Sequence, residues 1–395
     1  MTSSGDAIAL TGTIVADGER EYGRAWVRDG RLTLDEPASG PTAAVTISGW
    51  VLPGLVDLHC HLGLGPDGAV DEATTLAQAA TDLAAGTLLV RDAGSPIDSR
   101  WLQHAPAGSP SRAGDAAARP AAPAVRPRPR VDAPELIRAG HHLARPKRYL
   151  RHYATELDDV ADLPVAMAEQ AAFGDGWVKI VGDWIDRARG ADSDLEPLWP
   201  ADVLAAGIAA AHDAGARVTV HTFATETVDP LLDAGVDCLE HGTGLTPAQI
   251  ERAAAAGVAV VPTLLQIHRF EAIAAQGQAK YPRYAARMRA MHARRYAQVR
   301  DLHDAGVRLF LGTDAGGTIG HGRIADEAAE LVRAGLTAAQ VVAAASWLAR
   351  DYLGRPGIAD GAPADVVVYP ADPREDIAVL AHPSAVIRAG HLLAR

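Results

Sequence analysis

One junction recurs four times in this chain. An alanine-rich stretch ends in glycine and a short apolar run follows: AHDAG before RVTVH, LLDAG before VDCLE, AAAAG before VAVVP, LHDAG before VRLFLG. Glycine readily takes the left-handed conformation that closes a helix, so each of these glycines marks a helix end. The apolar runs have the length of strands buried on both faces. Strand candidates lie at 51–59, 87–92, 177–182, 217–222, 237–241, 258–263 and 308–314, with an eighth near 134–142. Helical stretches such as 201–214, 247–256 and 322–334 separate them. Parallel strands need such long crossovers and antiparallel hairpins do not. Eight units predict an α/β fold, a closed (β/α)8 TIM-type barrel over residues 51–358.

The ends of the chain read differently. Residues 7–47 hold short strands and turns, including VRDGRLTL with its Asp29-Gly30 hairpin signal. Strand character returns at 364–370 and 385–395. A small β-sandwich domain, built from 1–50 plus 359–395, is the expectation. Residues 103–131 are rich in proline, alanine and arginine without periodicity, and read as a disordered insertion after the second barrel strand. The surrounding stretch 100–151 carries a net charge of +8, against −20 for the remainder. Arginines clustered near the active face of a barrel would favour a carboxylate-bearing substrate.

Composition excludes several classes. Net charge is −12, which disfavours nucleic acid. Two cysteines allow neither a disulfide framework nor a four-cysteine cluster. No apolar run reaches the roughly 18 residues of a membrane span. The start, MTSSGDAIAL, lacks the basic and apolar regions of a secretory signal, so a cytoplasmic protein is expected. The partners expected are a small-molecule substrate and, at most, further copies of the chain.

Polar residues of one kind recur at the ends of the apolar strands. His59 and His61 flank Cys60 at the end of the first, and alternation on a strand would turn both imidazoles inward. Lys179 lies inside WVKIV, His221 ends VTV, His241 follows CLE and Asp314 ends FLGT. Singly, each is more simply a satisfied interior polar group. Together they meet at one place if the sheet closes. Lys179 stands out because only three lysines occur (147, 179 and 280), and the other 34 of 37 basic residues are arginine. A retained lysine can react as a neutral amine, which arginine cannot. Arg91, His268 and His321 follow other strands and are further pocket candidates, as are Arg145, Lys147, Arg148 and Tyr149 for anions.

PGLVDLHCH, VKIVGDW, VTVHTF, CLEHGTGL, LGTDAGG and GAPADVVVYPADP resemble the amidohydrolase superfamily of metal-dependent hydrolases over nearly the whole length. The chain is most similar to the imidazolonepropionase-like and Xaa-Pro-dipeptidase-like branch. The resemblance implies two divalent cations, with zinc expected. His59 and His61 would hold the first, and His221 and His241 the second. Lys179 would bridge both as N6-carboxylysine. Asp314 would bind the first cation and serve as general base and acid. His142 is the nearest match to that branch's substrate-binding histidine. The activity implied is cleavage of a C–N amide bond, in a dipeptide or a non-peptide small molecule, by a metal-bridging hydroxide. Two rivals remain. One is a mononuclear cyclic-amide hydrolase or deaminase using His59, His61, His221 and Asp314, with Lys179 an ordinary ion-pair partner. The other is a non-catalytic barrel scaffold.

Overall fold

The computed structural model describes residues 7–34, 45–104 and 130–393. Most of the insertion expected at 103–131 lies outside the described residues. The barrel strands are β1 (Leu55–Cys60), β2 (Thr87–Asp92), β3 (Glu135–Arg138, resumed at His142–Ala144), β4 (Trp177–Val181), β5 (Arg217–Thr222), β6 (Cys238–His241), β7 (Ala259–Val261) and β8 (Arg308–Leu309). All pair in parallel, in two ladders. One is β1-β2-β3; the other runs from the resumed part of β3 through β4 to β8. The chain joins the ladders at β3. Backbone bonds join them at the other side: Leu58 N–H to Leu311 O at 2.9 Å, Asp314 N–H to His59 O at 2.7 Å and His61 N–H to Ala315 O at 2.8 Å. The ladders do not form one continuous closed sheet.

Helices α1 (Glu72–Ala84), α2 (Leu163–Phe173), α3 (Ala201–Asp213), α4 (Thr225–Asp233), α5 (Pro247–Ala255), α6 (Leu264–His268), α7 (Phe270–Gly277), α8 (Pro282–Asp304) and α9 (Ile324–Arg333) lie between and after the strands. Their apolar faces and the outward residues of the strands share one large core, including Val178, Ile180, Val218, Val220 and Leu239. A separate apolar cluster of Val56, Leu58, Leu89, Trp177, Cys238, Val261 and Phe310 lies beneath the polar strand ends. Polar groups above this floor therefore gather at the C-terminal ends of the strands.

Pro53-Gly54 divides the predicted run 51–59. Val45–Pro53 belongs to the terminal sheet and Leu55–Cys60 to the barrel. A Cβ on Gly54 would lie 2.4 Å from the Leu88 side chain, so only glycine permits this close approach. Ser346 Oγ donates to Pro53 O at 2.7 Å and Arg350 Nε to Gly54 O at 2.8 Å, fixing the junction.

The chain ends form one seven-stranded sheet, in the order His391–Leu392, Ala385–Arg388, Val366–Tyr369, Val45–Pro53, Ile8–Val15, Glu21–Arg28, Arg31–Thr33. A two-layer sandwich was the expectation; the described residues form a single sheet around its own core of Ile8, Leu10, Ile14, Val27, Val51, Val366 and Ile387. A bulge between Thr11 and Ile14 makes this feasible, since bulged strands bend. Among the described residues, no helix is long and apolar enough to cross a membrane.

Candidate metal centre

Five strands deliver the polar groups. β1 carries His59 and is followed by His61, β4 carries Lys179, β5 His221, and β6 Glu240 and His241; Asp314 follows β8. The four imidazoles are 3% exposed or less and the lysine is fully buried. Two of these residues turn out of their strands with left-handed backbones, His241 at φ 67° and Asp314 at φ 56°; Thr263, beside His241, does the same at 49°. Non-glycine residues adopt this conformation at a cost of about 1 kcal/mol or more.

Hydrogen bonds behind the imidazoles fix what faces inward. His61 Nδ1 lies 2.7 Å from the Gly94 carbonyl, which can only accept. Nδ1 therefore donates to it, and Nε2 is turned inward. That Nε2 lies 3.2 Å from His59 Nε2 and 3.2 Å from Asp314 Oδ1, and His59 Nε2 is also 3.2 Å from Asp314 Oδ1. His241 Nδ1 lies 2.6 Å from Thr263 Oγ1, whose own hydrogen goes to Pro262 O. His241 Nε2 then offers a lone pair, 3.0 Å from His221 Nδ1. His221 Nε2 is buried without a partner. Burial holds His59, His221 and His241 well below 6.5, so they are neutral. Burial pulls the Asp314 carboxyl up, but the surrounding imidazoles, His59 foremost, hold it well below the usual carboxylate range. Three possible ligand atoms, on His59, His61 and Asp314, thus converge, an arrangement that fits a cation.

Lys179 Nζ contacts Glu240 Oε2. Glu240 Oε1 accepts from Thr219 Oγ1 at 2.8 Å, and Glu240 Oε2 lies 3.7 Å from His59 Nε2. Burial pushes the Lys179 ammonium down to about 7, against the pull of the Asp314 carboxylate. Glu240 was not among the sequence candidates. Its signal was the alternation in CLEH, which puts Glu240 on the same face as Cys238 in the barrel floor.

The remaining candidates separate. His142 reaches the centre: it is fully buried, its ring stacks on His61 at 5.0 Å, and neither ring nitrogen has a partner. Arg91 does not face a pocket. It is buried beneath the centre, donating from Nε to Leu58 O at 2.8 Å, with Nη2 3.6 Å from Glu240 Oε1 and its guanidinium over Trp177. His268 is exposed, because Ile267 takes the inward position on the short helix α6. His321 lies behind β1, where it pairs with Asp82 of α1 at 2.8 Å. Tyr149 packs edge-on to His221 at 5.6 Å and to Trp184 at 4.9 Å, and Phe223 lies against His221 and His241. These rings wall one side of the centre. Arg145 and Arg148 line a separate cleft of about 640 Å³ with Asp158, Trp199 and Pro200.

The model of the Amidohydrolase family matches residues 50–393. The chain belongs to the amidohydrolase family. A similar protein, an uncharacterised one from Mycobacterium tuberculosis, is 48% identical over 365 residues, covering 92% of this chain and 90% of its own. Among solved structures, a Xaa-Pro dipeptidase with methionine bound in its active site is similar at 20% identity, covering 99% of this chain and all of its own, with a TM-score of 0.77. A prolidase complexed with N-methylphosphonate-L-proline is 21% identical with a TM-score of 0.76, covering 98% and 100%. Ochratoxinase from A. niger is 18% identical with a TM-score of 0.74, covering 99% and 96%. This amidohydrolase therefore has the TIM-barrel type of fold. It is a metal-dependent hydrolase by family.

Proposed function

We propose that this amidohydrolase cleaves a C–N amide bond in a small molecule, using two divalent cations at the strand ends. His59, His61 and Asp314 would hold one, and His221 and His241 the other, with Lys179 reaching both as N6-carboxylysine. Zinc suits a donor set of nitrogen and oxygen. When bound, the cations supply an acidified water and a Lewis acid for the scissile carbonyl. Asp314 takes a proton from the attacking water and returns it to the leaving nitrogen as the C–N bond breaks. A lysine amine at about 7 is in part neutral at physiological pH and so able to add CO2. His142 lies beside His61 with two free ring nitrogens, a position suited to a substrate carbonyl or carboxylate.

One observation carries this reading: His59 Nε2, His61 Nε2 and Asp314 Oδ1, three atoms able to ligate a cation, lie 3.2 Å from one another at the buried strand ends. The test is metal analysis with activity. Two cations per chain are expected. Lys179→Ala should lose activity and recover part of it with short carboxylic acids, which replace the carbamate. One cation per chain, with Lys179→Ala fully active, would overturn the binuclear reading. The prolidase-like neighbours direct the substrate screen to dipeptides ending in proline first, then N-acyl amino acids and cyclic amides.

The Lys179–Glu240 contact favours a second reading. There Lys179 is an ion-pair partner and one cation serves His59, His61, His221 and Asp314. Failure of carboxylic acids to rescue Lys179→Ala, with a single bound cation, selects it.

A further inference from the structure

We propose that Cys60, Asp82 and His321 form a second cation site on the outer side of β1, a structural zinc site separate from the centre in the barrel mouth. The three donors come from three elements: β1, α1 and the segment between β8 and α9. Cys60 Sγ lies 3.7 Å from Asp82 Oδ2 and 3.7 Å from His321 Nδ1, and Oδ2 and Nδ1 are 2.8 Å apart. Zinc bonded to sulfur at about 2.3 Å and to nitrogen or oxygen at about 2.0 Å sets donor separations of about 3.3–3.6 Å. The two sulfur separations, at 3.7 Å, lie just above that range. The third opens by about half an ångström, a small side-chain rotation. Asp82 Oδ1 accepts from Gly322 N–H at 2.7 Å, the outer bond that orients a ligating carboxylate.

The surroundings favour a cation. Asp92 pairs with Cys60 across the β1–β2 ladder; it is fully buried and neither carboxylate oxygen has a partner. Asp57 is buried on the same strand as Cys60. Buried carboxyl groups thus crowd one thiol and one imidazole. Binding releases the Cys60 thiol proton and leaves the His321 ring hydrogen on Nε2. Gly320 and Arg323 are exposed, so an ion can reach the donors beside His321. A bound cation would tie the strand carrying His59 to the segment following Asp314.

Cobalt(II) tests the site on the full chain. The centre in the mouth has no sulfur donor, so only a thiolate site produces a near-ultraviolet thiolate-to-cobalt absorption. The band is expected in the wild type and in Cys238→Ser, where the other buried thiol is removed. It should be absent from Cys60→Ser, and His321→Ala should weaken cobalt binding at this site at least tenfold. It should persist in Asp314→Asn, which separates this site from the one in the mouth. A cobalt-saturated wild type without the band overturns the proposal and needs no variant to fold. A band that survives Cys60→Ser overturns it equally.

Discussion

The two sides of β1 carry similar donors in different hydrogen-bond surroundings. On the inner side, His59 Nε2, His61 Nε2 and Asp314 Oδ1 converge at 3.2 Å, and Gly94 O holds the far side of the His61 ring. On the outer side, His321 and Asp82 share a hydrogen, and the Cys60 thiol has its own to give. A count of histidines and carboxylates cannot tell the two apart; the backbone carbonyl behind one ring can. The inner set keeps two buried ring nitrogens without partners, His59 Nδ1 and His221 Nε2. In the outer set a cation must displace the hydrogens that join Cys60, Asp82 and His321. Inner substitutions should therefore destroy activity, and outer ones should act on stability.

The largest effect is expected at Asp314. Asp314→Asn removes both an ionised donor and the proton acceptor, and turnover should fall by about 10²–10⁴-fold from lost proton transfer alone. Steady-state kinetics on metal-reconstituted protein measures it. An Asp314→Asn chain within tenfold of wild type would break the contrast on its inner side.

Lys179→Arg comes next. Arginine keeps the charge that could pair with Glu240 but cannot form a carbamate. Loss of the second cation together with at least a hundredfold loss of turnover is expected under the binuclear reading. Retained turnover in Lys179→Arg points instead to the ion-pair role.

Asp82→Asn should act on folding. It weakens the bond to His321 and the acceptor for Gly322 N–H, both buried, at a cost of about 1–3 kcal/mol in denaturant unfolding. Zinc addition should raise the unfolding midpoint of the wild type more than that of Asp82→Asn.

A smaller effect concerns Asp57, which accepts from His59 N–H at 3.1 Å and from Thr313 Oγ1 at 2.6 Å. Burial and the Asp82 charge push its carboxyl from 3.8 up to about 7. Between those values the folded, chelator-treated protein binds more protons than the unfolded chain. Its stability should therefore fall as pH rises from about 4 to about 7, by at most about 1.4 kcal/mol per pH unit. Asp57→Asn should flatten that slope in unfolding measured at several pH values.

The same contrast explains what could be read from the chain. Strand ends were legible because glycine caps and β-branched runs are local signals, and His59, His61, Lys179, His221, His241 and Asp314 were therefore all placed at one mouth. The direction of a side chain beyond a strand is not local. Arg91 folds beneath the centre because Trp177 and the Leu58 carbonyl hold it there. His321 turns behind β1 toward an aspartate 239 positions earlier. Glu240 was overlooked beside His241, although strand alternation alone turns it inward onto Lys179. The terminal strands were recognised as strands, but their joining into one seven-stranded sheet rests on pairings between the two chain ends, such as Val366 with Pro53, that no local signal carries.

His268 provides the weakest expected effect and a sharp control. It follows β7, whereas His241 ends β6; α6 begins at Leu264, and its first turn gives the inward positions to Leu264 and Ile267. The imidazole is left exposed, with its ring 5.9 Å from that of His292. His268→Ala should change stability by less than about 0.5 kcal/mol, as surface substitutions do. Its kcat/KM should stay within twofold of wild type. A tenfold loss in kcat/KM with unchanged stability would mean that α6 rotates toward the mouth when substrate binds. The histidines that matter would then extend beyond those whose rings are oriented by a partner on the far side.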